Sequence, residues 1–208
     1  MNELLALFAT VFVTLFVIMD PPGTVPVFLG LTSSMDHKRR NRAARQAILV
    51  SFLVVVIFAV FGKYVLAYMG ISLPALRASG GLLLLFVAME LLTGKAEEPS
   101  ASANTNVAMV PLGTPLLAGP GTIVAVMVFV EEHATLASWA VIGAAVVAVH
   151  VCVWLSMRFA NIIQRVLRDD GVTLVTRIAG VLLAAIAVQM IATAVTQFVT
   201  DPELLLGH

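Results

Sequence analysis

The sequence predicts an all-α membrane protein whose six transmembrane helices form two three-helix repeats in opposite orientations. Composition is the first reason: 60% of the 208 residues are hydrophobic and only 12% are charged, whereas soluble chains are about 25% charged. The mean hydropathy of +1.02 agrees with this. The second reason is that the apolar residues form stretches long enough to cross a bilayer, and the third is an internal repeat.

Six apolar segments are candidate spans, at residues 4–32, 47–69, 74–92, 107–130, 136–157 and 174–197. The first is too long for one straight helix and contains Asp20-Pro21-Pro22-Gly23, while the fourth contains Ala118-Gly119-Pro120-Gly121. Proline removes a backbone donor and glycine weakens a helix. We therefore expect spans 1 and 4 to be broken near the midplane of the membrane.

The orientation follows from the basic residues, because Lys and Arg accumulate in cytoplasmic loops. They concentrate after spans 1, 3 and 5, at Lys38, Arg39, Arg40, Arg42, Arg45, Lys95, Arg158, Arg165 and Arg168. This distribution predicts a multi-pass protein of the inner (plasma) membrane with both termini outside. With a formal net charge of zero, the basic run indicates orientation rather than nucleic-acid binding.

Two stretches of sequence recur at nearly one offset. Pro21-Pro22-Gly23-Thr24 returns as Gly119-Pro120-Gly121-Thr122, and the stretch 77–83 returns as 177–183. Residues 1–95 and 107–208 then form the two repeats, joined by a polar linker at 96–106. Because each repeat holds three spans, the second must enter the membrane from the opposite side. Inverted repeats with broken helices are typical of secondary transporters, although each break could be no more than a packing kink.

The residues after each break are candidates for substrate binding. A half-helix that begins there has unpaired N–H groups and a positive dipole end, which suit a carboxylate or a small zwitterion. Glycine lets a ligand approach the backbone, and threonine adds a hydroxyl group. The candidate set is Gly23, Thr24, Gly119, Gly121 and Thr122, together with Ser79 and Gly80 of the second recurring stretch.

Five further residues are candidates for coupling or gating. Asp20 is the carboxylate deep inside a span; it could carry a coupling proton, bind a cation or a substrate amine, or only cap the following half-helix. Glu90 could couple or simply reach water. Arg77 and Arg177 could anchor their spans at the interface or form a gate with a carboxylate or carbonyl, and Gln189 could bond across helices.

An intramembrane enzyme is not expected. It would need a nucleophile with a positioned base, or a metal cluster. Cys152 is the only cysteine and stands in an apolar stretch, and His150 is isolated in span 5. We read His150 as a packing residue, with proton relay as the alternative. No cofactor and no metal site are expected.

The motifs resemble one known family. The stretches 20–31, 70–81, 110–122 and 177–189 are similar to the MarC family, which includes the SnatA-type transporters of small neutral amino acids. The resemblance implies a similar fold and transport of glycine- or alanine-like substrates, coupled to a proton or sodium gradient. An exporter of drugs or other small metabolites is the alternative. The 7% content of aromatic residues favours the small substrate, since drug sites are usually lined by aromatic side chains.

Overall fold

A computed structural model describes the backbone of residues 2–32, 35–93, 118–133 and 135–200. Throughout these ranges the regular structure is α-helical, so the all-α part of the predicted fold class is confirmed. The helices are α1 (Asn2–Met19), α2 (Pro21–Leu31), α3 (His37–Met69), α4 (Leu73–Thr93), α5 (Pro120–Glu132), α6 (Leu136–Arg158) and α7 (Ala160–Thr200). The predicted linker at 96–106 and the beginning of predicted span 4 lie outside the described residues.

Five described segments are long and apolar enough to cross a membrane. They are Glu3–Leu31, His37–Met69, Leu73–Thr93, Leu136–Arg158 and Asp170–Thr200, and they correspond to predicted spans 1, 2, 3, 5 and 6. Predicted span 4 is represented by the 13 residues of α5, which are too few to cross a bilayer alone. The break in span 1 is confirmed, because α1 and α2 are separate helices on either side of Asp20.

The basic segments that the sequence analysis placed in loops are helical. Lys38 to Arg45 form the first turns of α3, whose start is capped by Asp36: its carboxylate accepts the Arg39 N–H at 2.7 Å. After span 5 the loop prediction is also wrong, since only Phe159 separates α6 from α7. Arg168 has φ 55° and ψ 176°, and it kinks α7 between a short amphipathic start and the apolar remainder. Positive charge therefore lies on helix ends, where it can still face the cytoplasm.

Two buried clusters hold the helices together. The larger joins α1, α2, α3, α5 and α6 around side chains such as Leu15, Phe28 and Val126. The smaller lies between α1, α4 and α7 and contains Val17, Leu84, Ala88, Leu183 and Ala187. The long contact between α4 and α7 belongs to this second cluster.

Glycines allow α4 and α7 to approach closely. A methyl group added at Gly81 would lie 2.8 Å from the Ala187 carbonyl oxygen, and one added at Gly180 would lie 3.2 Å from the Ala88 carbonyl oxygen. Gly80 instead faces α5, where an added methyl would overlap the Val124 side chain. The expected packing of small residues against a broken helix thus holds for Gly80, whereas Gly180 packs against α4.

Candidate functional site at the helix breaks

The first break is a single residue, Asp20, between two helices. Its backbone is left-handed, with φ 38° and ψ 69°, a conformation uncommon for residues other than glycine. The Asp20 N–H completes α1 by donating to the Phe16 carbonyl at 3.1 Å, and its own carbonyl accepts the Thr24 N–H at 2.9 Å to begin α2. Two prolines follow it, a residue type tolerated in the first turn of a helix because those N–H groups have no partner within it.

The Asp20 side chain is buried without a hydrogen bond. It is 6% exposed, and neither carboxyl oxygen has a partner among the described residues. The polar groups beside it are the Gly23 N–H and the Thr176 hydroxyl, neither of which reaches it with hydrogen-bond geometry. Asp20 makes no capping hydrogen bond to α2, although the Gly23 N–H that such a bond would use lies beside its carboxyl group.

Gly23 is the point at which these groups meet. A methyl group added there would overlap the Asp20 carboxyl group and would lie 2.9 Å from Thr176 Oγ1. Thr176 belongs to α7, and its hydroxyl is also buried and unpaired within the described chain. The sequence analysis did not select Thr176, because nothing in its neighbourhood distinguishes it from the other threonines of the last span.

The hydroxyl of Thr24 is already hydrogen-bonded within the protein and is not free for a ligand. Its Oγ1 hydrogen-bonds to the carbonyls of Met19, at 3.2 Å, and Asp20, at 3.0 Å. This bond satisfies carbonyl groups at the end of α1 that would otherwise be orphaned in an apolar environment. With Pro21 and Pro22 lacking N–H groups, the first turn of α2 offers a ligand carboxylate little beyond the Gly23 N–H.

The start of α5, where the second break is predicted, lies next to the first break. Gly119 caps α5 in an extended conformation, Pro120 follows, and Gly121 and Thr122 are buried. A methyl group added at Gly121 would overlap Leu84 of α4 and lie 3.7 Å from Ile18 Cγ2, two residues before Asp20. The two breaks are therefore neighbours, as expected, but the side of Gly121 that faces α4 is filled by Leu84.

Two of the predicted residues lie away from the breaks. Ser79 is exposed and donates its hydroxyl to the Leu76 carbonyl of its own helix at 2.9 Å. Glu90 is exposed near the end of α4, which fits a side chain that reaches water. The face of Gly80 is covered by Val124 and Met190.

Arg77 is the centre of a buried polar cluster that the sequence only hinted at. It is 3% exposed; Nη1 donates to Gln197 Oε1 at 2.7 Å, and Nη2 forms an ion pair with Glu132 Oε1. This triad ties α4 to α5 and α7. Interfacial anchoring does not describe such a buried arginine, whereas the alternative of pairing with a carboxylate does. Arg177, at the corresponding place in the second repeat, is exposed.

A cleft of about 370 Å³ opens beside this triad, between α1, α4, α5 and α7. Its polar lining comes from Thr14, Arg77, Glu132, Gln189 and Thr193, and the rest is apolar. Gln189 bonds to Thr193 of its own helix at 3.4 Å, so the expected bond across helices was wrong. Because Ala125 also lines the cleft, the cleft begins about one helical turn beyond Gly121.

His150 has a complete set of partners. Its Nδ1 lies 2.8 Å from the Val146 carbonyl, and since a carbonyl only accepts, this nitrogen carries the proton. In the neutral ring Nε2 then accepts the Ser51 hydroxyl at 3.1 Å, which joins α3 to α6. These bonds favour the packing interpretation of His150.

Comparisons of the sequence with known proteins cover nearly the whole chain. Residues 5–199 match the sequence model for MarC family integral membrane proteins. The chain belongs to the MarC family. Its relatives include a membrane protein of Methanocaldococcus jannaschii, 34% identical over 90% of this chain and 95% of the relative. The inner membrane protein MarC of Escherichia coli is 31% identical over 90% of this chain and 93% of its own length. No solved structure matches the chain.

Proposed function

We propose that this MarC-family protein is a secondary transporter of small neutral amino acids, of the glycine and alanine type, in the cytoplasmic (inner) membrane. Transport is coupled to a cation gradient. The observation that carries the proposal is the helix break at Asp20, which lies beside the start of α5 and holds a buried, unpaired carboxyl group. Broken helices beside a substrate path are a recurrent design of such transporters.

A purely structural role explains this arrangement poorly. An intramembrane carboxylate is expensive, by about 2.5–3.5 kcal/mol on insertion scales, and an unpaired one gains nothing in return. The left-handed backbone at position 20 would strain an apolar residue, but glycine or asparagine could adopt it without placing a carboxyl group there. A group that must bind and release a cation, by contrast, has to be left without a permanent partner.

The proposed architecture comprises six spans in two inverted repeats, with both termini outside. The helix contacts support it, because they occur in pairs that the repeat would exchange. The half-helix α2 packs on α6 and α7, and its counterpart α5 packs on α3 and α4; α3 packs on α6, and α4 on α7. Residues 107–117, outside the described ranges, would complete span 4 ahead of α5.

We place the substrate in the cleft beside Arg77. Its carboxylate would pair with the guanidinium in exchange for Glu132, whose side chain is 40% exposed and can move into water. The cleft walls formed by Ala125, Ile186 and Met190 are apolar and favour a small uncharged side chain. In this proposal Arg77 is both a substrate ligand and a gate, since its partners hold three helices together.

Uptake into proteoliposomes tests the proposed function. Purified protein should accumulate labelled glycine and alanine under an imposed proton or sodium gradient, and excess unlabelled alanine should compete while phenylalanine should not. Protein-free vesicles and an Arg77→Gln variant serve as controls. Absence of uptake, exchange and binding for both amino acids with correctly folded protein would contradict the proposal.

A further inference from the structure

We propose that Asp20 and Thr176 form the site of the coupling cation, and that this cation is a proton. The inference rests on the proposed transport function for its meaning, but the site itself can be tested without transport. In this assignment Asp20 binds the proton, and Thr176 is a positioning residue that acts through it.

The starting observation is the convergence of unpaired polar atoms on one point. Both carboxyl oxygens of Asp20 and the hydroxyl of Thr176 are buried without hydrogen bonds to the described chain. Both side chains lie against the Cα hydrogens of Gly23, where any larger residue would overlap them. Since buried polar groups are almost always paired, three unpaired oxygens at one place indicate a missing binding partner.

The number of free oxygens identifies that partner. Metal cations need several oxygen ligands, and broken helices usually supply them from unwound carbonyl groups. Here the carbonyls of Met19 and Asp20 are already occupied by Thr24, through its hydroxyl and, for Asp20, also its N–H. The described side chains therefore leave two carboxyl oxygens and one hydroxyl at this point, a set that suits a proton better than a metal cation, which takes about six oxygen ligands.

A proton needs no more than these atoms. It adds to one carboxylate oxygen to form the neutral acid, whose new O–H can donate to Thr176 Oγ1. The acid is far cheaper to bury than the anion. Release of the proton to the other side of the membrane restores the carboxylate, which then favours contact with water or with a substrate amine.

Among the residues that the structure describes, no other charged group compensates Asp20. On the helices that pack around the break, Arg77 is bound to Glu132 and Gln197, and His150 to Ser51 and Val146. Arg177 follows Thr176 directly but is exposed. The remaining titratable side chains on α4 to α7 that the structure describes make no contact with the carboxyl group: Glu90, Glu131, Cys152, Arg158, Arg165, Arg168 and Asp170.

The position of Thr176 also couples protonation of Asp20 to the packing of helices. It lies on α7, whereas Asp20 lies between α1 and α2, so a bond between them joins the broken helix to the longest helix of the other repeat. The bond can form in both protonation states, but its direction reverses: the neutral acid donates to Thr176 Oγ1, whereas the carboxylate accepts a charge-assisted bond from the Thr176 hydroxyl. The contact of α2 with α7 is therefore the part of the fold whose equilibrium the proton would bias.

Infrared difference spectroscopy of the purified protein tests the site directly. Titration of the parent should show a carboxylic acid C=O band that is absent in Asp20→Asn and unchanged in Glu3→Gln, which changes an exposed acid at the far end of α1. Thr176→Val should shift this band and change the proton affinity about tenfold, because one hydrogen bond is lost. Thr176→Ser, which keeps the hydroxyl, should restore both.

Transport then provides a second readout. Asp20→Asn should keep amino-acid exchange between equal pools and lose accumulation driven by a pH gradient. A band that survives in folded Asp20→Asn, or accumulation driven by sodium at equal pH, would overturn the assignment. If the parent moves no amino acid while the Asp20 band behaves as expected, the proton site stands and the proposed transport function fails.

Discussion

Arg77 and Arg177 occupy corresponding places in two recurring stretches of sequence, yet their surroundings differ completely. Arg77 is buried and bound to Glu132 and Gln197, whereas Arg177 is exposed and makes no ion pair with the described chain. Similar stretches of sequence have therefore not produced similar surroundings. If the repeats are inverted, one end of the molecule is tied and the other is not, which is the asymmetry that an alternating-access transporter shows in any single state.

Topology is the prediction with the largest expected effect, because labelling is present or absent. In a Cys152→Ala background, a cysteine at Ile71 should react with a membrane-impermeant reagent in intact cells. A cysteine at Asn41, at the other end of α3, should react only after permeabilisation. Both positions lie outside the apolar part of the helix, so reactivity reports the side of the membrane. External labelling of position 41 would reverse the assignment of the Arg77 end to the outside.

Removing the buried arginine should have the next largest effect. Arg77→Gln leaves Glu132 and Gln197 without their shared donor and should reduce the free energy of unfolding by about 1–3 kcal/mol. The matched variant Arg177→Gln should change it by about 0.5 kcal/mol or less, as for ordinary surface sites. Thermal unfolding in detergent measures both. Equal losses would mean that the burial of Arg77 contributes nothing to stability.

Neutralising its carboxylate partner should have an intermediate effect. Glu132→Gln keeps a hydrogen-bond acceptor but removes the charge, and charged hydrogen bonds are about twice as strong as neutral ones. We expect a loss of about 1 kcal/mol, and almost none for the exposed neighbour in Glu131→Gln. Because the two residues act together, Arg77→Gln combined with Glu132→Gln should be less destabilised than the sum of the single variants. Strict additivity would contradict a direct pair.

The last comparison concerns the glycines that follow each arginine. Gly80→Ala overlaps Val124 and should cost about 1–3 kcal/mol by overpacking. Gly180→Ala meets Leu91 and Leu92 only at 3.1 Å, so small shifts should relieve it and the cost should be lower. Gly143→Ala is the control, because a methyl group there has no neighbour within 4 Å. Unfolding curves of the three variants should follow this order, and a reversed order of the first two would contradict the described packing of α4.

The sequence predicted the helices well because their cause is local. A span is recognised from the hydropathy of the roughly twenty residues that form it. The break is recognised from the Asp-Pro-Pro-Gly motif at the position where it occurs. The described helices follow these marks at spans 1, 2, 3, 5 and 6. The one local signal that misled was the clustering of basic residues, which indicated loops where α3 and α7 are already helical.

The site was predicted less completely because its partners are distant in sequence. Glu132 is 55 residues from Arg77 and Gln197 is 120 residues away, and neither stands in a motif. The Glu131-Glu132 pair at the end of span 4 and the two glutamines of the last span, Gln189 and Gln197, were the available signals. Thr176 had none, because only packing of α7 against the break brings its hydroxyl to Asp20.

The two prolines after Asp20 have a lasting consequence for how this protein can move. Neither can donate a backbone N–H, and each ring would collide with a carbonyl one turn earlier if α1 continued through them. Ligand binding, protonation or a change of membrane potential can therefore never convert α1 and α2 into one continuous rod. A large displacement of α2 relative to α1 would therefore change the backbone torsion angles of Asp20. The residue that carries the unpaired carboxyl group is also the hinge of the first span.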